Sequence, residues 1–416
     1  MKILLGGVPF GCDNIGDEAI IAGVVKMLKE SIPGVELTVA TADPATAALL
    51  GVGVVPPFGF RGARIADFAS EAKRHDAYIW CGATGLSDYP HVALDLLEAA
   101  QNAGVPTFVW GVGMDDELNP VFFRAHGKRR FLLRLFGLVG WYERHLRARL
   151  SRRLAMVLPR CRGVWVRDPQ SAAMLASMGF PSAGITADSA ILLQSRKPRA
   201  TNHEPPTTNH EPLTTNHEPP TTNHEPLTTN HEPLTTNHEP RITNHEPPTL
   251  GLCISTQRQV VDLEGVRNMI SAVRDSGARV IGIPMNPKTD RTLLESLGVE
   301  CISGTTPEAV MSAAAECSVV LSSRLHLLIL AANVGTPGLG IARGSKLANW
   351  LSNFNRMVEG SVFECDWAKL TRHVLSALKD RGDWDNVRDV AYAALFARLE
   401  RSRNELVAKL EACCGG

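Results

Sequence analysis

The sequence predicts an α/β protein in which two domains, each with a parallel sheet covered by helices, face a cleft. Three observations support this fold class. Strand and helix patterns alternate along most of the chain, as in βαβ units. A length of 416 residues suits two domains better than one. Residues 6–20 and 321–346 each have the pattern of a strand, a turn rich in glycine or serine, and a helix.

The first domain is expected over residues 1–195. Apolar runs of strand length occur at 2–5, 36–41, 77–81, 106–111 and 163–166. Helical patterns lie between them, at 17–30, 65–74, 91–103 and 169–178. Glycine or proline follows most of these helices, as at helix ends generally. The alternation indicates one parallel sheet with helices on both faces.

The second domain is expected over residues 250–380. Its strand signals begin at Leu250 and recur at 279–283, 318–321 and 338–341, with helices between them. A long charged amphipathic pattern runs from 386 to 413. It predicts one C-terminal helix within a terminal segment, 381–416.

An abrupt change of composition separates the two halves. The block TNHEP occurs seven times with a period of seven, beginning at Thr201, Thr208, Thr215, Thr222, Thr229, Thr236 and Thr243. A proline in every block and the lack of an apolar seam argue against a coiled coil. A His-rich metal tract is disfavoured because an extended chain holds the imidazoles far apart. We expect a disordered linker over 196–249, and no metal site.

Overall composition indicates a soluble globular protein. The 43 basic and 43 acidic residues balance, and the nine cysteines form no CxxC pair, so neither a structural zinc nor a redox dithiol is expected. The N-terminal apolar stretch is broken at once by Gly-Gly and Pro9, as in a first strand and unlike a signal peptide. No uncharged apolar run is long enough for a membrane span. We therefore expect a cytoplasmic protein.

Residues 124–162 are strongly basic, with twelve Lys or Arg, one Glu and a net charge of +11. Leucine and phenylalanine alternate with the charges, which predicts a basic amphipathic helix or helix pair. One interpretation is contact with an anionic membrane surface or with a lipid-linked, phosphate-bearing substrate. The other is an ordinary helix pair with a solvated basic face. Few aromatic residues are present for stacking, so a nucleic-acid partner is not expected.

The C-terminal segment offers the first candidate site residues. Ser322 and Ser323 are potential N-caps of the helix that follows. Arg324 would then lie beside free backbone amides that can hold an anion, or it would form a structural salt bridge. His326 is a candidate acid or base, or a packed core histidine. Lys346 follows the next strand, where doubly wound folds place ligand groups, or is a surface lysine.

The N-terminal segment contains four glycines whose spacing fits neither GxGxxG nor GxxxxGK[ST]. A dinucleotide or P-loop nucleotide site is therefore not indicated. Asn14, Asp17 and Glu18 stand at the start of an apolar-periodic helix. Capping explains one of the two acids, and Asp17 is the candidate for a functional role.

These residues together resemble a known family. CDNIGDEAI at 12–20 and SSRLHLLILAANVGTPGLGIARGSK at 322–346 are similar to the polysaccharide pyruvyl transferase family. Three intermediate pieces extend the resemblance over residues 1 to about 355 in the same order: VRDPQSAAML, ADSAILL and IPMNPKTD. The turns CGATGLSD and GVGMDD depart from the family pattern, which bears on acceptor recognition.

The resemblance implies two Rossmann-like domains similar to B-type glycosyltransferases. It also implies transfer of the pyruvyl group of phosphoenolpyruvate (PEP) to a sugar, or a lipid-linked oligosaccharide, of an envelope or exopolysaccharide precursor. The product is a pyruvate ketal. The N-terminal domain would hold the acceptor and the C-terminal domain PEP, without a metal or a nucleotide cofactor. The implied acid and base are His326 and Asp17. The implied substrate-binding residues are Arg324, Arg167, Lys346, Asn14 and Ser323.

Two alternatives remain open from the sequence. A nucleotide-sugar glycosyltransferase of the same fold would also use a helix N-terminus for a diphosphate. It would typically place an acid in the second domain for the ribose, and none is evident after His326. A non-catalytic scaffold for polysaccharide assembly would instead depend on the repeats and the basic segment.

Overall fold

Seven parallel strands form the first sheet. The computed structural model describes residues 1–83, 85–116, 118–194, 247–255 and 262–414. The strands of the first half are β1 (Lys2–Phe10), β2 (Glu36–Thr41), β3 (Gly53–Val55), β4 (Ala77–Cys81), β5 (Thr107–Val112), β6 (Gly163–Val166) and β7 (Gly184–Ile185). Their order is β3-β2-β1-β4-β5-β6-β7. Every residue of β4 and β5 is buried, because central parallel strands are covered on both faces.

Nine helices accompany this sheet among the described residues. They are α1 (Ile15–Ser31), α2 (Pro44–Leu50), α3 (Phe68–Ala72), α4 (Gly85–Asp88), α5 (Pro90–Asn102), α6 (Pro120–Phe123), α7 (Gly127–Leu135), α8 (Val139–Val157) and α9 (Pro169–Ser177). The helix predicted at 65–74 is wrong in length, since α3 covers five residues after a short 3-10 turn. The sequence analysis missed α2, which Asp43 caps and Gly51 ends in a left-handed conformation.

Four parallel strands form the second sheet. They are β8 (Thr249–Cys253), β9 (Arg279–Gly282), β10 (Val319–Ser322) and β11 (Gly338–Gly340), in the order β11-β10-β8-β9. The helices of this half are α10 (Leu263–Asp275), α11 (Thr289–Ser296), α12 (Pro307–Ala315), α13 (Leu325–Asn333), α14 (Ser345–Ser352), α15 (Trp367–Lys379) and α16 (Trp384–Cys414). The expected linker end at 249 is wrong, because Thr249 is a buried strand residue. The repeats themselves lie outside the described residues.

The two halves share apolar packing. One cluster of buried residues includes Ile20 of α1, Leu328 of α13 and Leu395 of α16. The long C-terminal helix α16 returns to the edge of the first sheet. There Trp165 Nε1 donates to Glu405 Oε2 at 3.0 Å, and Ser402 Oγ donates to Thr186 Oγ1 at 2.7 Å. The helix therefore joins both halves.

Both sheets reverse their strand order next to their first strand. In the first sheet the chain moves outward from β1 on one side and from β4 on the other, and in the second from β8 and β10. Ligands of open α/β sheets bind outside the carboxyl ends of the strands at such points. The starts of α1 and α13 follow β1 and β10, so the two motif segments lie at these crevices.

The basic segment forms the expected helix pair, α7 and α8. The C-terminal half of α8 buries Leu150, Leu154 and Val157, whereas α7 buries none of its residues. In the described part of the chain, no helix carries an apolar stretch suited to crossing a bilayer.

Candidate active site

A cavity of about 780 Å³ opens where the carboxyl ends of both sheets meet. The first half contributes the turns after β1 and β4, and the second contributes the start of α13 and the turn before α14. All seven site residues named from the sequence line this cavity: Asn14, Asp17, Arg167, Ser323, Arg324, His326 and Lys346. Three of them come from the first half and four from the second.

The start of α1 forms one wall and contains the buried acid Asp17. Asn14 is the N-cap, and its Oδ1 accepts from Gly16 N at 3.3 Å. Its Nδ2 donates to Asp17 Oδ2 at 2.7 Å. Burial raises the pKa of Asp17 to about 6, although nearby His326 and the Asn14 hydrogen bond lower it. Since Asn14 does the capping, Asp17 is left as a buried acid facing the cavity.

His326 lies across from this acid, in the first turn of α13. Its ring packs on Gly16, where an added Cβ would lie 2.2 Å from Nδ1. The absence of a side chain at Gly16 therefore makes room for the ring of His326. His326 Nε2 lies 3.5 Å from Asp188 Oδ2, close enough for an ion pair with a protonated ring but outside hydrogen-bond geometry. Nε2 is buried and has no hydrogen-bond partner among the described residues.

Asp188 joins His326 to Arg167. Its Oδ1 caps a short turn by accepting from Ala190 N at 3.1 Å, and its Oδ2 lies 3.5 Å from Arg167 Nη1. Burial alone would raise the pKa of Asp188, but His326 and Arg167 outweigh it and hold the pKa below its ordinary value. Asp188 is therefore an ionised, buried carboxylate behind the cavity wall.

Arg167 follows β6 and has one donor to spare. Its Nε donates to Asp168 Oδ2 at 3.3 Å, and the guanidinium packs over Gly113, where an added Cβ would lie 2.6 Å away. Nη2 is buried and donates to none of the described residues. Because buried polar groups are normally satisfied, this nitrogen is suited to an anionic ligand in the cavity.

Arg324 forms the structural salt bridge that the sequence analysis left open as the alternative to anion binding. Its Nε and Nη2 donate to Asp290 Oδ2 and Oδ1 at 3.1 and 2.8 Å, and Asp290 is fully buried. These two guanidinium nitrogens therefore bind a carboxylate of the protein itself. Asp290 also accepts from Asn286 N at 2.9 Å, so the pair fixes the turn before α11.

The predicted serine caps of α13 are also wrong. Arg324 is the N-cap, and the helix start has no side-chain cap hydrogen bond among the described residues. Ser322 Oγ accepts from Arg324 N at 2.9 Å and donates to Arg324 O at 2.8 Å. Ser323 Oγ accepts from Ser255 N at 2.9 Å. Both hydroxyls bond to backbone, and the N-terminus of α13 remains suited to an anion.

Lys346 lies half-buried in the first turn of α14, at the cavity. Burial lowers its pKa, while Asp88 and Asp115 raise it in part. Asp115 comes from the first half and crosses to α14, where its Oδ1 accepts from Ser345 N at 2.7 Å. Two carboxylates of the first half therefore favour the charged form of Lys346 against its burial.

Sequence reasoning missed Asp115, Asp188, Asp290 and Arg343, which also lines the cavity. Asp188 and Asp290 stand in ADSAILL and IPMNPKTD, two pieces of the family resemblance, so a signal for them was present. Asp115 lies in a turn that departs from the family pattern. Within the described chain, no three His, Cys, Asp or Glu side chains are grouped to hold a metal ion.

This geometry defines a two-sheet α/β protein with a cationic cleft, and sequence comparison identifies its family. The family model for polysaccharide pyruvyl transferase matches residues 14–345. The chain therefore belongs to the polysaccharide pyruvyl transferase family, and the resemblance noted from its motifs is confirmed. A search of curated protein sequences gives no match.

Solved structures confirm the fold class. S. aureus MnaA with UDP has a TM-score of 0.54 at 11% identity, covering 99% of this chain and 96% of that one. The UDP-GlcNAc 2-epimerase of Neisseria meningitidis bound to UDP-GlcNAc gives 0.52 at 12%, and Anabaena HepE with UDP and glucose gives 0.52 at 13%. Both of these matches cover 99% of this chain and 99% of the solved structure. At such low identity the similarity shows the fold alone, two Rossmann-like halves around a cleft as in B-type glycosyltransferases.

Proposed function

We propose that the protein transfers the pyruvyl group of PEP to two hydroxyls of a sugar, forming a ketal and releasing phosphate. The observation that carries the proposal is the set of groups around one cavity. Cationic side chains enter from both halves, Arg167 from the first and Arg343 and Lys346 from the second, while Asp17 and His326 lie between them. PEP has a phosphate and a carboxylate, and both need cationic or amide donors.

The anion-binding groups suggest how PEP would lie. The start of α13, without a side-chain cap among the described residues, together with Lys346 suits the phosphate. Arg167, with its unused Nη2, suits the carboxylate. Arg324 supports the site through Asp290 instead of presenting its fork. This placement revises the residue roles that the family resemblance implies.

His326 and Asp17 supply the acid and the base. Protonation of C3 by His326 makes C2 electrophilic, and Asp17 takes the proton of the attacking hydroxyl. With a pKa raised to about 6, Asp17 is largely ionised at neutral pH yet more basic than an exposed Asp. The second hydroxyl then displaces phosphate from C2. One hydroxyl proton balances the proton added to C3, and the other leaves with phosphate.

The acceptor would be a sugar, free or in a lipid-linked oligosaccharide of an envelope or exopolysaccharide precursor. The family name supports a polysaccharide as the target. The first half reaches the cavity with Asp88, Tyr89 and Arg124. Carboxylate and phenol groups are common hydrogen-bond partners of sugar hydroxyls. We therefore place the acceptor on this side and PEP on the side of α13 and α14.

A phosphate-release screen tests the proposal. The protein is incubated with PEP and each member of a panel of sugars and oligosaccharides, and with PEP alone. We expect release that requires an acceptor, and a rise in melting temperature with PEP but not with UDP. Stabilisation by UDP and UDP-sugars without any effect of PEP would instead support a nucleotide-sugar glycosyltransferase. Binding of sugars without turnover of PEP would support a scaffold.

A further inference from the structure

The helix pair α7–α8 exposes an apolar surface that the active site does not use. Six large apolar side chains between residues 131 and 141 are 43–73% exposed: Phe131, Leu132, Leu135, Phe136, Leu138 and Trp141. Monomeric soluble proteins rarely expose so many apolar groups together, and such patches mark interaction sites. We call these six residues the apolar ridge.

The α7 part of the ridge is turned away from α8. Arg129 Nη1 donates to Tyr142 on α8 at 2.7 Å, and Leu133 is partly buried, so the α7 face that carries them is turned toward α8. At 100° per residue, Phe131 and Leu135 fall on the opposite face, and Leu132 lies at the side between the two faces. Below the ridge, the second half of α8 is anchored by buried Leu150 and Leu154. The apolar ridge is therefore attached to the first half of the protein through α8.

Cationic side chains border the ridge. Lys128, Arg130 and Arg134 on α7 are all exposed, and no acid lies between residues 124 and 142. An apolar helix face bordered by Lys and Arg is the pattern of interfacial helices. A protein partner would need carboxylates around an apolar groove. An anionic lipid surface supplies both the negative charge and the apolar interior.

We propose that the apolar ridge inserts into the surface of an anionic bilayer, with Lys128, Arg130 and Arg134 on the headgroups. Arg124 lines the active-site cavity and directly precedes this helix pair, so docking would hold the cavity mouth beside the membrane. The surface stands apart from the proposed reaction, since its binding is measured without PEP. Failure of either proposal therefore leaves the other intact.

Vesicle co-sedimentation tests the ridge. Vesicles of equimolar phosphatidylglycerol and phosphatidylcholine should bind the full chain, and phosphatidylcholine alone should bind it much more weakly. Lys128→Gln, Arg130→Gln and Arg134→Gln combined should lower the partition coefficient roughly 100-fold. Raising salt to 1 M should weaken binding, because the Debye length falls to about 3 Å.

Two matched controls distinguish binding through the ridge from nonspecific binding through other exposed cations or apolar side chains. Arg267→Gln, Lys369→Gln and Arg372→Gln remove three exposed cations from α10 and α15 in the second half of the protein, and should leave binding near wild type. Leu49→Ser and Val390→Ser remove exposed apolar groups elsewhere, and should also be neutral.

Phe131→Ser with Leu135→Ser and Phe136→Ser should lower vesicle binding at least tenfold, and since these side chains are exposed the fold should persist. Equal binding to neutral vesicles, or equal loss in the Arg267 set, would overturn the proposal. So would conversion of a dimer to a monomer by the apolar triple with vesicle binding unchanged, or tighter binding of a single-stranded oligonucleotide through the same cations.

Discussion

Replacing Asp17 by Asn should make the protein more stable and less active. The folded pKa of about 6 exceeds the ordinary value of 3.8, so between these pH values the folded chain binds more protons than the unfolded chain. The contribution of this carboxyl to the free energy of unfolding therefore falls as pH rises through that window. Above pH 6 the penalty is nearly complete, about 3 kcal/mol at about 1.4 kcal/mol per pKa unit.

Asn is isosteric with Asp, can still accept the hydrogen bond of Asn14 and carries no buried charge. Melting temperatures of the wild type and Asp17→Asn, measured from pH 4.5 to 8, should show an advantage for the variant that grows with pH. Turnover should fall roughly 100-fold or more if Asp17 is the base. A stability difference independent of pH, or a less stable variant at pH 8, would refute the argument.

Asp13→Asn is the matched control. The hydrogen bond from Lys288 is the largest of the effects that hold the pKa of Asp13 below its ordinary value. This carboxyl therefore stabilises the fold above its unfolded pKa, and its contribution is lost as pH falls through the folded pKa. Asp13→Asn should be less stable than the wild type at pH 7, opposite in sign to Asp17→Asn.

Three further substitutions test the packing of the site. His326→Asn should lower turnover roughly 100-fold or more with little change in PEP affinity, as measured by steady-state kinetics and calorimetry; near-wild-type turnover would place the acid elsewhere. Gly16→Ala should cost about 1–3 kcal/mol and displace His326, losing turnover. Its control is Gly265→Ala, which meets the side chain of Trp367 away from the cavity lining and should lose stability but keep turnover in the folded protein. Arg324→Gln should cost about 3–5 kcal/mol by leaving Asp290 unpaired, and Asp290→Asn should restore part of it in urea melts; unchanged stability would mean that the pair is not structural.

Strand and helix periodicity was enough to predict most of the fold. Apolar runs located β4 and β6 to the residue, and the helix expected after Ser322 and Ser323 is α13. The position of the cavity also followed, because parallel strands bring their carboxyl ends to one edge. The short helix α2 was missed, since seven residues show too little periodicity to be distinguished from a loop.

Pairings between distant segments could not be predicted from spacing. Asp290 lies 34 residues before Arg324 and occupies its guanidinium, and Asp188 reaches both Arg167 and His326. Local sequence around Arg324 shows only that a helix begins there. The packing of His326 on Gly16 likewise depends on two helices that the fold brings together from opposite halves.

The most direct test of the proposed reaction is the fate of PEP in D₂O with a competent acceptor. If C3 is protonated before attack at C2, each product should carry one deuterium in the ketal methyl group, with one phosphate released per ketal formed. Mass spectrometry and proton NMR of the product measure both. A phosphorylated acceptor with free pyruvate would show that the phosphoryl group moves instead, and would contradict the assigned roles of His326 and Asp17.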